Sequence, residues 1–138
     1  MRIMAIDYGD AHTGIAISDP TGLLAGFTTV INSRRQEVVV EQVAALVKEH
    51  GAEELVLGHP VNMDGTLGPR SEKAKAMKVL LEEATSLPVV LWDERRTTID
   101  AHNILFNSGK NAKQRKKVVD AVAASLILEG YLTFKKSR

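Results

Sequence analysis

The chain has 138 residues, 44% hydrophobic and 25% charged, and these proportions are typical of one folded domain rather than of a disordered or fibrous chain. It contains no cysteine, which excludes disulfides, thiolate metal sites and cysteine nucleophiles, and no apolar run approaches the about 20 residues that a membrane helix needs. The net charge of +1 favours no class of partner. We therefore predict a single domain over residues 1–138, cytoplasmic and without membrane contact.

The first part of the chain predicts three short strands. The segments 2–7, 13–18 and 26–31 are apolar, partly β-branched and bounded by turn residues. The connections between them are too short for a crossover helix, so neighbouring strands should be antiparallel. These segments are predicted to form a three-stranded meander.

The rest of the chain alternates helical and strand patterns. Helices are predicted at 35–50, 70–85, about 97–106 and about 117–134, and strands at 54–58 and 88–92. Strands that alternate with helices pair in parallel through right-handed crossovers. The sequence therefore predicts an α/β fold with a five-stranded mixed sheet, three antiparallel strands then two parallel ones, flanked by helices.

Three acidic residues from distant parts of the chain are predicted to meet at one edge of this sheet. Asp7 closes the first strand and Glu94 follows the fifth, and ligands of open α/β sheets collect at the carboxyl ends of strands. Asp120 is followed at helical spacing by Ala124 and Ile127, so it shares the apolar face of the last helix and should face the sheet. A charge in that position needs a partner or a metal ion.

Such a carboxylate cluster repels itself unless a cation neutralises it. Oxygen ligands favour Mg²⁺ or Mn²⁺, and two such ions ~3.5–4 Å apart can activate water and stabilise the leaving oxygen of a phosphodiester. The simpler alternatives are a solvated turn for Asp7, a helix cap for Asp93 and an ion pair with a nearby basic residue for Asp120. We prefer the simpler role only for Asp93, because consecutive strand residues face opposite sides. Glu94 then joins the other two acids, provided that the fifth strand pairs beside the first.

Four sequence blocks carry a resemblance to a known family. They are Asp7-Tyr8-Gly9 with Gly14, Gly58-x-Pro60-x-Asn62-Met63-Asp64-Gly65, Asp93-Glu94-Arg95 with Thr97-Thr98, and Asp120-x-x-Ala123-Ala124. In this order, from Met1 to about Phe134, they resemble the YqgF family of small bacterial proteins, also called RuvX or Holliday junction resolvases. The resemblance implies a ribonuclease H-like fold similar to the RuvC resolvases. It also implies nuclease activity, either on four-way DNA junctions or at the leading end of the small-subunit ribosomal RNA precursor.

The resemblance also assigns roles to residues of this chain. It implies that Asp7, Glu94 and Asp120 are catalytic and bind metal, and that the residues supporting the site are Gly9, Gly58, Asp93, Arg95 and Thr98. Two positions depart from the family pattern. His12 stands where an arginine is usual, and as a mostly uncharged group near neutral pH it would contact phosphate more weakly. His59 stands where a leucine is usual, which we interpret as a packing change.

Two segments are candidates for contact with nucleic acid, either structured RNA or branched DNA. In the segment 59–70, Asn62 and Arg70 could reach phosphate oxygens, although an ordinary strand-to-helix connection is the alternative. The segment 110–117 carries five basic residues in eight. It is either a solvated stretch or a surface that draws a polyanion towards the acids, which we favour. Its predicted contact residues are Lys113, Arg115, Lys116 and Lys117.

Two other functions and the oligomeric state stay open at this point. Actin-like and sugar-kinase folds also begin their phosphate loop with Asp-x-Gly, but they need two such domains to enclose ATP. A non-catalytic nucleic-acid-binding module of the same fold is the other alternative. Trp92 is predicted to be a core residue rather than a base-stacking platform. Lys135, Lys136 and Arg138 are interpreted as a solubilising tail. The chain could be a monomer or a homodimer.

Overall fold

The computed structural model describes residues 1–20, 25–60, 68–93 and 112–136, with the backbone alone at 25, 112–120 and 136. Its elements follow the chain as β1 (Arg2–Asp7), β2 (His12–Ser18), β3 (Ala25–Asn32), α1 (Gln36–His50), β4 (Ala52–His59), α2 (Pro69–Thr85), β5 (Val89–Asp93) and α3 (Ala112–Lys136). The helix predicted at about 97–106 lies outside the described residues. Among the described helices, none combines the length and the apolar character that crossing a membrane requires.

The five strands form one mixed sheet in the order β3-β2-β1-β4-β5. β1 pairs with β2 and β2 with β3 in antiparallel fashion, whereas β4 pairs in parallel with both β1 and β5. The predicted fold, three antiparallel strands followed by two parallel ones, is confirmed. The condition set for Glu94, that the fifth strand pairs beside the first, is not met, because β4 lies between β5 and β1.

Alternation along the strands gives the sheet two apolar faces. One face packs against α1 and α2 through a core that includes Met4, Ile6, Ile15, Leu55, Leu57, Val43 and Met77. The other face packs against α3 through a core that includes Ile3, Ala5, Ala16, Val56, Ala124, Ile127 and Leu128. Because Asp7 follows Ala5 by two residues, it belongs to the α3 face of the sheet.

The helix α3 begins earlier than the sequence suggested. It starts at Ala112 rather than near position 117, so most of the basic segment 110–117 is helical rather than a connection before the helix. Lysine, glutamine and arginine are good helix formers. However, this segment contains no large apolar residue whose spacing could reveal a helix. The basic positions from 113 onwards therefore belong to the first two turns of α3.

The far end of α3 is tied to the sheet by a buried carboxylate. Glu54 accepts a hydrogen bond from the hydroxyl of Tyr131 and pairs with Lys135, whose Nζ lies 2.9 Å from Oε2. Lys135 is therefore a structural partner, and its prediction as part of a solubilising tail is wrong. Trp92 packs edge-on against Tyr131 and Phe134, with ring centroids 5.8 and 5.7 Å away. It is partly buried and packs against the α3 core, which agrees with the predicted packing role.

Candidate functional site

The carboxyl ends of β1, β4 and β5 meet at one edge of the sheet because these strands are parallel. Ile6 pairs with Leu57, and Leu57 pairs with Leu91. The next residues, Asp7 and Gly58 among them, therefore lie level with each other at this edge. An edge of this kind is where α/β sheets bind their ligands.

Asp7 ends the central strand and faces the α3 side of this edge. It pairs with Gly14 of the neighbouring strand β2, and because Gly14 has no side chain, none lies beside Asp7 at this position. The Asp7 carboxylate is half-buried and has no hydrogen-bond or ion-pair partner among the residues that the structure describes. A partly desolvated carboxylate without a counter-charge is suited to hold a cation.

The turn after Asp7 explains one of the predicted supporting residues. A Cβ atom added to Gly9 would overlap the backbone oxygen of His12, so no other residue fits without moving the turn. The turn is also tied to the end of β3, where the backbone N–H of Ser33 donates to the carbonyl of Ala11 at 3.0 Å. Gly9 therefore fixes the path of the chain between Asp7 and β2.

His12 is held at the same edge by a polar neighbour. Its Nδ1 lies 2.6 Å from Oδ1 of Asn32 in the adjacent strand β3, and Nδ1 is the donor because an amide oxygen accepts. By alternation along β2, His12 lies on the α3 face with Gly14 and Ala16, the face to which Asp7 belongs. The role of Asn32 was missed in the sequence, because it depends on the pairing of two strands.

Asp93 lies on the opposite face from Asp7. It closes β5 and pairs in register with His59, and it follows Leu91 by two residues on the α1–α2 face. This agrees with its exclusion from the predicted metal ligands. Several predicted site residues lie outside the described part of the chain: Asn62, Glu94, Arg95 and Thr98.

The positions predicted on the last helix are described by their backbone. Asp120 belongs to α3, as do the basic residues Lys113, Arg115, Lys116 and Lys117. Among the side chains that the structure describes, no three acidic or histidine residues form a metal site. Two of the three predicted ligands, Glu94 and the side chain of Asp120, lie outside that set.

A second polar group lies on the α2 side of the same edge. His59 Nε2 lies 2.6 Å from the hydroxyl oxygen of Ser71, which is fully buried in the first turn of α2. The interpretation of His59 as a packing change is therefore wrong, because the residue makes a polar contact that joins β4 to α2. No sequence pattern indicates this contact, since the two residues meet only when α2 folds back over the sheet.

A surface pocket opens beside this contact. It is lined by Tyr8, Asp10, Pro60, Arg70, Lys73 and Ala74. Burial raises the pKa of the Tyr8 hydroxyl; the positive charge of Lys73 opposes this shift and the negative charge of Asp10 adds to it. Lys73 forms an ion pair with Asp10 at 3.3 Å. Tyr8 and Lys73 were not predicted as site residues, although each lies close in sequence to one that was.

The model of the RuvX family, described as Holliday junction resolvase, matches residues 1–134. The chain belongs to this family. A protein of Halothermothrix orenii, named as a candidate pre-16S rRNA nuclease, is 43% identical over 135 residues, which is 98% of this chain and 96% of the relative. The predicted family is thus confirmed, and the names of the family and of this relative are those of nucleases, as the sequence predicted.

Two solved structures place the fold. RuvC of T. thermophilus in complex with a Holliday junction superposes with a TM-score of 0.64 at 13% identity, covering 99% of this chain and 96% of RuvC. The predicted ribonuclease H-like fold is thereby confirmed. A ROK hexokinase from Thermus thermophilus has a TM-score of 0.51 at 22% identity, but the match covers 75% of this chain and only 38% of the hexokinase. The likeness to RuvC therefore extends over nearly all of both chains. The likeness to the hexokinase is limited to part of this chain and to less than half of the kinase.

Proposed function

We propose that this RuvX-family chain is a metal-dependent endonuclease that hydrolyses phosphodiesters at the 5′ end of the 16S ribosomal RNA precursor. The observation that carries the proposal is the family match over residues 1–134, with the half-buried Asp7 carboxylate at the end of the central strand. The relative at 43% identity is named for pre-16S rRNA. Branched DNA is the second candidate substrate, favoured by the family description. We place the activity in the cytoplasm, where this RNA is processed.

The metal-binding residues are proposed to be Asp7, Glu94 and Asp120. All three offer carboxylate oxygens and the chain has no thiolate, so the donor set fits Mg²⁺ or Mn²⁺. When bound, such an ion supplies an activated water and charge stabilisation for the leaving oxygen. The chain's own part is to hold these carboxylates on a rigid strand and helix, since Asp7 lies within a paired strand.

The choice of Glu94 over Asp93 is supported by the register of the sheet. Val90 and Trp92 pack on the α3 face, whereas Asp93 is on the other face. If β5 continued by one residue, position 94 would follow them onto the α3 face. The separation of β5 from β1 by β4 still allows Glu94 to approach Asp7, because all three strands are level at the edge.

Asp120 is supported by the helical periodicity of α3. Positions 123, 124, 127 and 131 of this helix are buried against the sheet. Position 120 precedes 124 and 127 by four and seven residues, so it belongs to the same stripe, one turn closer to the helix start. The helix therefore carries an acid along the stripe that faces the sheet.

The basic turns of α3 extend this stripe and are proposed to hold the nucleic acid. Positions 113, 116 and 117 precede 120 by seven, four and three residues, so they share its side of the helix, whereas position 115 lies on the opposite side. Three lysines in line with the acid would hold backbone phosphates close to the metal site. Arg115 is then expected to contribute less than the three lysines.

A cleavage assay with three candidate substrates tests this function. End-labelled 16S rRNA precursor leader, a four-way DNA junction and ATP are each incubated with the protein, with Mg²⁺, with Mn²⁺ or with chelator. We expect cleavage of the precursor within the leader, only with a divalent ion, and no ATP hydrolysis. Binding of RNA without cleavage in either metal would instead identify a non-catalytic module, and ATP hydrolysis alone would identify the kinase-like alternative.

A further inference from the structure

The pocket beside Tyr8 opens at the carboxyl edge but on the face opposite to Asp7. Tyr8 follows Asp7 directly and packs against the core under α1 and α2. Pro60 follows the end of β4, and Arg70 and Lys73 belong to the first two turns of α2. The pocket is thus reached from the same edge as the proposed metal site, yet from the α2 side.

Two cations lie on one side of this pocket and are available to a ligand. Arg70 and Lys73 are three residues apart, so they lie on the same side of α2. Arg70 is exposed and makes no hydrogen bond or ion pair within the described part of the chain. Lys73 is 60% exposed and pairs with Asp10, itself 74% exposed, at 3.3 Å. Exposed pairs of this kind are weak and salt-sensitive, so a phosphate can compete for Lys73.

The first turns of α2, which carry these two cations, are fixed by contacts with the sheet and the core. Ser71, between them in sequence, is fully buried and bonded to His59 at the end of β4. Ala74 is also buried and packs into the core under the helix. The first turns of α2 are therefore fixed to the strand that ends at the proposed catalytic edge, which is the support that a precise contact needs.

We propose that Arg70 and Lys73, with the hydroxyl of Tyr8, form a second phosphate-contact site for the backbone of the nucleic-acid substrate. This proposal rests on the proposed nuclease function and extends it. The lysines of α3 lie on one face of the sheet and this site on the other, so the substrate is held from both sides of the edge where it is cut. A strand that bends across the edge, as in a structured or branched nucleic acid, reaches both.

Asp10 gives the site a feature of opposite sign. Its carboxylate lies in the pocket wall, where it neutralises Lys73 and repels an incoming phosphate. Asp10→Asn should therefore strengthen binding, whereas Lys73→Gln and Arg70→Gln should weaken it. On a surface that was merely basic, with no defined phosphate position, the effect of Asp10→Asn would not depend on whether Lys73 is present.

The test measures the dissociation constant of the four-way junction, in chelator, as a function of salt concentration. Removing one basic group that binds a duplex phosphate lowers the salt slope by roughly 0.9, so the slope of the double variant Arg70→Gln/Lys73→Gln should fall by roughly 0.9 to 1.8. Lys75→Gln is the matched control, because Lys75 is a partly exposed lysine of the same helix, 3.7 Å from Glu72 and outside the pocket. Asp10→Asn should bind more tightly, and this gain should shrink when Lys73→Gln is added.

The outcomes separate this site from the proposed function. Lys75→Gln should keep the salt slope of the wild type. If the double variant keeps it as well, while the wild-type protein still cleaves, the second site is rejected and the proposed nuclease function stands. If Asp10→Asn binds no more tightly than wild type, the pocket is also rejected as a phosphate site. If the unchanged protein neither binds nor cleaves nucleic acid, both proposals are overturned.

Discussion

Two consecutive acids at the end of β5 are expected to play different parts. Asp93 lies within the strand, in register with His59 and on the face of α2. Asp7, the metal ligand proposed on β1, follows Ala5 by two residues and so belongs to the face of α3. The two residues cannot serve one ion from opposite faces of a sheet. We therefore propose the next acid, Glu94, as the ligand.

Single substitutions at these two acids test the assignment. Glu94→Gln should abolish metal-dependent cleavage with little loss of stability, because it removes one charge from the metal site. Asp93→Asn should retain cleavage and lower the free energy of unfolding by about 1 kcal/mol if this residue caps the following helix. Cleavage rates and urea unfolding of both variants decide the matter. An inactive but stable Asp93→Asn beside an active Glu94→Gln would reverse the assignment.

Residues of the site differ in how far the sequence could reveal them. Asp7 and Gly9 are visible because an acid and a tight turn follow an apolar strand directly. The contact of His59 with Ser71 and that of His12 with Asn32 are not, because each joins segments at least 12 residues apart and depends on how they pack. Glu54 did carry a signal, since a carboxylate within a buried strand needs a partner. The identity of that partner, Tyr131, required the fold.

At the scale of single elements, α3 carries more of the groups proposed for function than any other element. Its C-terminal half is buried against the sheet and anchored through Glu54, and its first turns carry the basic residues. Strand boundaries were predicted to within two residues, because turn residues delimit short apolar runs. The start of α3 was missed by five residues, because its first turns contain only polar residues and alanine and hence no apolar period.

Because the basic segment is helical from Ala112 onwards, its residues are expected to differ in their contacts with nucleic acid according to their side of the helix. The triple variant Lys113→Gln/Lys116→Gln/Lys117→Gln should weaken binding and flatten its salt dependence, by roughly 0.9 in slope for each lysine that binds a duplex phosphate. Arg115→Gln, on the other side of the helix, should change the slope little. Metal binding should survive in both. Equal changes in salt slope at all four positions would show that the segment contributes only its net charge, without a defined side of the helix. No change at any position would show that the segment is only solvated.

At the scale of the whole molecule, the sheet separates two sets of groups that meet at one edge. The α3 face holds Asp7 and the helix with Asp120, while the α2 face holds the pocket of Arg70 and Lys73. The fold class was predictable, because short apolar strand segments and helical segments follow one another in a definite order along the chain. The position of β4 between β1 and β5 was not predictable, since strand order depends on the path of the crossovers. The family match over residues 1–134 covers both sets of groups.

The central claim is that Asp7 holds a divalent ion that the chain needs for cleavage. The most direct measurement is the rate of precursor or junction cleavage by the wild-type protein and by Asp7→Asn, titrated with Mg²⁺ and Mn²⁺, with folding of both checked by circular dichroism. Asparagine keeps the size of the side chain but removes the charge that binds the ion. We predict that cleavage by the wild type requires the metal and that the rate falls by orders of magnitude in the folded variant. Cleavage at the wild-type rate by folded Asp7→Asn, or cleavage by the wild type in excess chelator, would contradict the account.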